Sequence, residues 1–244
     1  MSAEARPEAS LLRDRAGEVL GRIAAAARRA GREPSEVTLV AVSKTHPSAL
    51  VRAAAAAGLT DFGENRVQEA EAKVTELRPE VPGLRWHLVG HLQPNKARRA
   101  ARVFDLIHSV DSAALVGRLE RICAEEGRER LDVLIQVDLA GEATKSGAGE
   151  EELPAVFESL GRCERVRCRG LMILPPFYEE AERVRPFFQR LRRLRDELRP
   201  RGAFGEEEGE LSMGMSHDYE VAVEEGATLV RVGTALFGER GAAR

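Results

Sequence analysis

Residues 38–65 read "TLVAVSKTHPSALVRAAAAAGLTDFGEN". The β-branched run "TLVAVS" (38–43) reads as a strand, the alanine-rich run 48–57 as a helix stopping at Gly58, and "DFGEN" (61–65) as a second short strand. Strand, helix and strand at this spacing make one βαβ unit, and its two strands are therefore parallel.

The same alternation continues in both directions. Upstream, Leu12, Ala16, Val19, Leu20, Ile23 and Ala27 fall on one face of a helix over 8–30 that Gly31 ends. Downstream, helices are expected over 66–78, 94–102, 113–126, 150–161, 179–198, 218–225 and 234–239. Strands are expected over 85–91, 104–112, 131–139, 166–174, 210–216 and 228–233, with Pro175 and Pro176 stopping the fourth of these. Eight strands, each followed by a helix, with one extra helix in front, suit a single α/β domain: a (β/α)8 TIM barrel spanning 1–244. An open doubly wound sheet is the alternative, but no G-x-G-x-x-G follows a strand.

Composition narrows the function. Charged residues make up 32% of the chain, yet the formal charge is only −3, which argues against a dedicated nucleic-acid surface. The arginine clusters, interleaved with Glu and Leu, read as solvated helix faces. Three cysteines without a C-x-x-C pair fit a reducing compartment, and Cys123 reads as packing. The N-terminus "MSAEARPEAS" lacks an apolar signal region, and no run approaches the ~20 apolar residues of a membrane span. A cytoplasmic protein is expected.

Active sites of parallel barrels gather at the carboxyl ends of the strands. The non-hydrophobic residues there are Lys44, Asn65, His87 and His91, Ser109 and Asp111, the stretch after Asp138, Ser212 and Ser216, and Arg231 through Thr234. Lysine is rare in this chain: only Lys44, Lys73, Lys96 and Lys145 occur. Lys44 shares strand parity with Val40 and Val42. Partial desolvation there would make its amine a nucleophile for an aldehyde or ketone; a lysine snorkelling to water or pairing with a carboxylate is the competing reading. In "LVRVGTALFG", Arg231 sits between valines, and Gly233-Thr234 opens a short helix of the kind that receives a phosphate after the last barrel strands. In "MGMS", Gly214 permits close backbone approach and Ser216 offers a hydroxyl, either to a phosphate or as a plain cap of helix 218–225. His87 and His91, four apart on a strand, do not suit a shared metal. Lys145 reads as a solvated loop lysine, Asp111 and Asp138 as loop caps, and Met213 and Met215 as packing.

A phosphate pocket opposite a carbonyl-reactive lysine, with an arginine between, describes pyridoxal 5'-phosphate. The chain resembles the YggS/PROSC family of pyridoxal phosphate-binding homeostasis proteins in "VAVSKTHP", "FGENRVQEA", "WHLVGHLQPNK", "IHSVDS", "GEATKSG", "RGLMILPP" and "LSMGMSHDYEVAVEEGATLVRVGTALFGER", from about residue 37 to 240. The resemblance implies a barrel of the alanine racemase N-terminal type that holds the cofactor as a Schiff base on Lys44. It implies phosphate contacts from Ser216, Gly233 and Thr234, Arg231 facing the pyridine nitrogen, and Asn65 near the ring. "HDYE" and "VDLAGEATKSG" are variants within the family pattern, and they leave the role of Lys145 open.

The function implied is a carrier that keeps vitamin B6 homeostasis and supplies apo-enzymes. The alternatives are an amino-acid racemase and a class I aldolase. Racemases of this type add a C-terminal β domain and use a partner-subunit tyrosine as the opposing base. Here the chain ends after the last helix, and neither Tyr178 nor Tyr219 lies in a matching motif, so a monomer without robust catalysis is expected.

Overall fold

The computed structural model describes residues 5–141 and 146–238, the side chains of 5–9 excepted. Eight parallel strands close into a barrel in sequence order: β1 Thr38–Val42, β2 Asp61–Glu64, β3 Arg85–Leu88, β4 Leu106–Val110, β5 Leu131–Gln136, β6 Val166–Met172, β7 Glu210–Met215 and β8 Leu229–Val232. Pairing of β1 with β8, Leu39 opposite Val230 and Val40 opposite Arg231, closes the ring. The helices between and after the strands are α2 Ser48–Ala56, α3 Val67–Leu77, α4 Ala97–Val103, α5 Ala113–Glu126, α6 Leu153–Leu160, α7 Arg185–Leu198, α8 Tyr219–Glu224 and α9 Thr234–Phe237, and α1 Ala5–Arg29 precedes them all.

Strand alternation divides the core in two. Outward-facing side chains such as Ala41, Phe62, Trp86 and Ile107 pack under the helices. Inward-facing Val40, Val42, Val89, Leu106, Leu134, Met172 and Leu229 form a separate cluster inside the barrel.

Proline set two helix boundaries that periodicity overran. The helix expected from 179 begins as a 3-10 turn at Ala181, and becomes α-helical only at Arg185 with Pro186 in its first turn. The helix from Pro94 likewise opens with a 3-10 turn, Pro94–Lys96. The strand expected over 131–139 stops at Gln136, beyond which Val137 makes one isolated bridge to Ala148. On α1, Leu20 is 43% exposed although its spacing places it with the apolar face. It lies about 100° around the helix from the buried Val19, outside the stripe that meets α2, α8 and α9.

Candidate functional site

Lys44 lies two residues past the end of β1, after Ser43, and is half-buried. The strand ends at Val42, so a turn and not strand parity sets the lysine's direction. The His46 N–H donates to the Ser43 carbonyl at 3.1 Å, closing a four-residue turn in which Thr45 has φ 67. This places Lys44 second in a type II turn, whose third residue is ordinarily glycine. A β-branched residue in that region costs about 1–3 kcal/mol.

Ser216 follows β7. Its Oγ accepts the Gly233 N–H at 3.1 Å and the Ala235 N–H at 3.4 Å, so the hydroxyl sits at the opening of α9. It does not cap α8: Asp218 Oδ1 takes the Met215 N–H at 2.6 Å in that turn. Gly214 does allow close approach, but to α8, where an added Cβ would lie 2.5 Å from Ala222 Cβ. A Cβ on Gly233 would stand 3.2 Å from the Val42 carbonyl oxygen. The backbone that opens α9 is therefore pressed against the end of β1, next to Lys44. Thr234 is exposed as the first residue of α9.

Arg231 lies inside the barrel, 3% exposed. Its Nη1 donates to Ser212 Oγ at 2.6 Å and its Nη2 to the Ile173 carbonyl at 2.8 Å. Burial lowers the guanidinium to about 10, against the opposing pull of Asp218; it stays a cation at neutral pH.

From Ser212 a hydrogen-bonded chain crosses the barrel interior. Ser212 Oγ lies 2.8 Å from His108 Nδ1, His108 Nε2 is 2.9 Å from His87 Nδ1, and His87 Nε2 is 3.0 Å from Asp61 Oδ1. An arginine can only donate and an ionised carboxylate only accept. One neutral set of histidine tautomers then satisfies every link: Ser212 donates to His108, His108 to His87, and His87 to Asp61. Burial alone would raise the Asp61 carboxyl, but bonds from His87 and Thr60 hold it below its ordinary value. Burial, reinforced by His87 and Arg231, keeps His108 well below the usual histidine range.

A second polar cluster lies behind Lys44. Lys73 Nζ on α3 donates to the Ser43 carbonyl at 2.7 Å, Glu64 Oε1 at 2.6 Å and Glu69 Oε1 at 2.9 Å. Ser43 Oγ also donates to Glu64 Oε1, at 2.7 Å. Burial pushes the Glu64 carboxyl up, against the pull of Lys73.

The other expected residues fall as follows. Asn65 follows β2, half-buried, and the end of β3 touches its backbone: a Cβ on Gly90 would meet the Asn65 carbonyl oxygen at 2.4 Å. His87 is a buried, hydrogen-bonded histidine, whereas His91 lies beyond β3, with Nδ1 3.5 Å from Asp111 Oδ2. Ser109 donates to the Gly90 carbonyl, and Asp138 caps its loop through the Ala140 and Gly141 N–H groups. Lys145 lies outside the described residues. Asp61, Glu64, Lys73 and His108 escaped the sequence reading. A histidine inside the apolar run "FDLIHSV" was the one available signal; the others acquire meaning only through neighbours distant in the chain. A cleft of about 980 Å³ between α6 and α7, lined in part by Phe157, Cys163, Cys168 and Phe204, opens on the outside of β6, away from these strand ends.

Residues 20–241 match the family described as alanine racemase, N-terminal domain. The chain is 46% identical to the pyridoxal phosphate homeostasis protein of Pseudomonas aeruginosa, with 95% of this chain and 96% of that one covered. The chain belongs to the pyridoxal phosphate homeostasis protein family. Its relative of that name in Escherichia coli K12 is 40% identical over 91% of this chain and 94% of the other. Among solved structures, PipY of Synechococcus elongatus PCC7942 with pyridoxal phosphate bound is 46% identical, with a TM-score of 0.77, covering 90% of this chain and 100% of that one. An alanine racemase from Corynebacterium glutamicum, 20% identical with a TM-score of 0.65, shares the fold; 61% of its chain is covered. Family and barrel agree with the sequence expectation. No described helix is long and apolar enough to cross a membrane.

Proposed function

We propose that this chain binds pyridoxal 5'-phosphate at the carboxyl ends of its barrel strands, and holds and releases it for vitamin B6 homeostasis. One observation carries the reading. Gly233 packs on the Val42 carbonyl while Arg231 pairs with Val40, so a helix opening, a buried cation and Lys44 cap two adjacent strands at the same end.

The donor set fits the group. The Ser216 hydroxyl accepts the Gly233 and Ala235 N–H groups at the opening of α9, and a dianion there would take over those donors; Ser216, Gly233 and Thr234 would hold the phosphate. Arg231 would face the ring nitrogen, and Asn65 would lie near the ring. When bound, the cofactor supplies an aldehyde that a lysine amine captures reversibly; Lys44 is the amine for that attachment. A fixed cation disfavours protonation of a facing nitrogen and leaves the ring a weak electron sink. That suits storage better than carbanion chemistry.

The kinship with pyridoxal phosphate homeostasis proteins favours this reading over the racemase alternative, and the two tyrosines are placed as packing residues. Tyr219 is buried, with the Arg22 guanidinium over its ring and no hydrogen-bond partner for its hydroxyl among the described residues, while Tyr178 stacks on Phe187 and under Arg183. The reading includes a single cytoplasmic, monomeric domain over 1–244, with apo-enzymes as recipients and neither nucleic acid nor membrane as partner.

The test is the visible spectrum of the purified protein before and after borohydride, with peptide mapping. A yellow band bleached by reduction, with the adduct on Lys44 and none in Lys44→Ala, is expected. A protein that stays colourless in added pyridoxal phosphate, or carries the adduct elsewhere, refutes the assignment.

A further inference from the structure

Four side chains outside the barrel wall, Ser43, Glu64, Glu69 and Lys73, converge on the backbone that carries Lys44. The Lys73 ammonium has three N–H donors, and the Ser43 carbonyl, Glu64 Oε1 and Glu69 Oε1 supply one acceptor for each. Glu69 Oε1 also accepts the Thr45 N–H at 2.5 Å. The Ser43 carbonyl belongs to the peptide group before Lys44, and the Thr45 N–H to the peptide group after it. Peptide groups are planar, so tying down both fixes the two dihedrals at Lys44 and with them the direction of its Cα–Cβ bond. Ser43 is held a second time through its hydroxyl on Glu64. The same clamp holds Thr45 at φ 67, a conformation a threonine would otherwise leave.

We propose that Lys73, with Glu69 and Glu64, is a positioning residue for Lys44: an ion-pair clamp that grips both peptide groups flanking it and aims its amine across the barrel mouth. The proposal rests on the reading of Lys44 as the attachment point. Lys73 is 6% exposed and sits against the outer wall, so it acts through the turn and not by touching the cofactor. Arginine would not substitute, because its planar fork cannot direct three bonds from one atom. Apolar packing would serve stability there as well as a buried lysine–glutamate couple does, so the clamp gives the couple a role beyond stability.

The test uses the full-length apo-protein and three variants. Glu69→Ala removes the half-exposed member; Glu69→Gln keeps an acceptor oxygen; the double variant Lys73→Met/Glu64→Gln removes the buried pair without stranding a charge. The readouts are hydrogen exchange at the Thr45 amide, the rate at which added pyridoxal phosphate is captured covalently, its competition by inorganic phosphate, and melting temperature. In Glu69→Ala and the double variant, we expect capture to slow on the order of ten- to a hundredfold, the loss that follows from misaiming a reacting group by about 1 Å. The Thr45 amide should exchange about tenfold faster in Glu69→Ala, the ratio expected for loss of one hydrogen bond. Phosphate competition should be unchanged and the adduct should remain on Lys44, with Glu69→Gln close to wild type. Wild-type capture rates in both disrupted variants would overturn the clamp while leaving the site intact, as would a Glu69→Gln variant as slow as Glu69→Ala. A wild-type adduct on a residue other than Lys44 would instead remove the reading of the site, whatever the variants do.

Discussion

His87 Nδ1 lies 2.9 Å from His108 Nε2 in the barrel interior, where both rings are fully shielded from solvent. The pair joins Asp61 on β2 to Ser212 on β7 and, through it, to Arg231. Polar side chains from five strands thus replace apolar filling along one path through the barrel. Each link has a donor and an acceptor, so the path avoids the cost of an orphaned buried group.

That path makes stability depend on pH. His108 is held below the ordinary histidine value in the folded chain, so between that value and about 6.5 the unfolded chain binds the extra proton. Stability therefore falls as pH drops below about 6.5, by up to about 1.4 kcal/mol per pH unit for this group. Denaturant melts between pH 5 and 8 should show the slope, and His108→Asn should flatten it. An unchanged slope in the variant would place its origin elsewhere.

Arg231→Gln removes the cation while keeping a donor for the Ser212 oxygen. The ring nitrogen of bound cofactor should then protonate more readily, shifting the visible band of the loaded protein and its pH dependence, with the circular dichroism intact. An identical spectrum would mean that Arg231 does not face the ring.

Gly90 bears on Asn65 through space. An alanine there would put its Cβ 2.4 Å from the Asn65 carbonyl oxygen and 2.8 Å from its Cα, backbone atoms that cannot rotate away. Gly90→Ala should cost about 1–3 kcal/mol, as overpacking does, and should weaken cofactor affinity. A melt matching wild type would show that the β2 and β3 ends separate freely.

Thr45 pays for its left-handed backbone at φ 67. Asparagine tolerates that region, so Thr45→Asn should stabilise the protein by about 1 kcal/mol without loss of cofactor capture. Thermal unfolding of the apo-protein measures it.

Much was legible in the chain itself. Local alternation of β-branched and amphipathic runs determined eight strands and the helices after them, because side-chain period and parallel pairing leave few closed arrangements. Lys44, Asn65, Ser216, Arg231 and Thr234 could be singled out as polar residues at or near strand ends, where a barrel exposes its chemistry, and Gly233 as the glycine that opens the last short helix. Some element ends were read less well, because proline geometry at Pro94 and Pro186 outweighs apolar periodicity. Only the tertiary structure decided what surrounds those residues. Ser216 turned to α9 instead of capping α8; His108 met His87 across neighbouring strands; Lys73 reached back 30 residues to grip the turn that carries Lys44. Such contacts depend on which side chains the closed barrel brings within 3 Å, and a distance of that kind has no signature in sequence spacing.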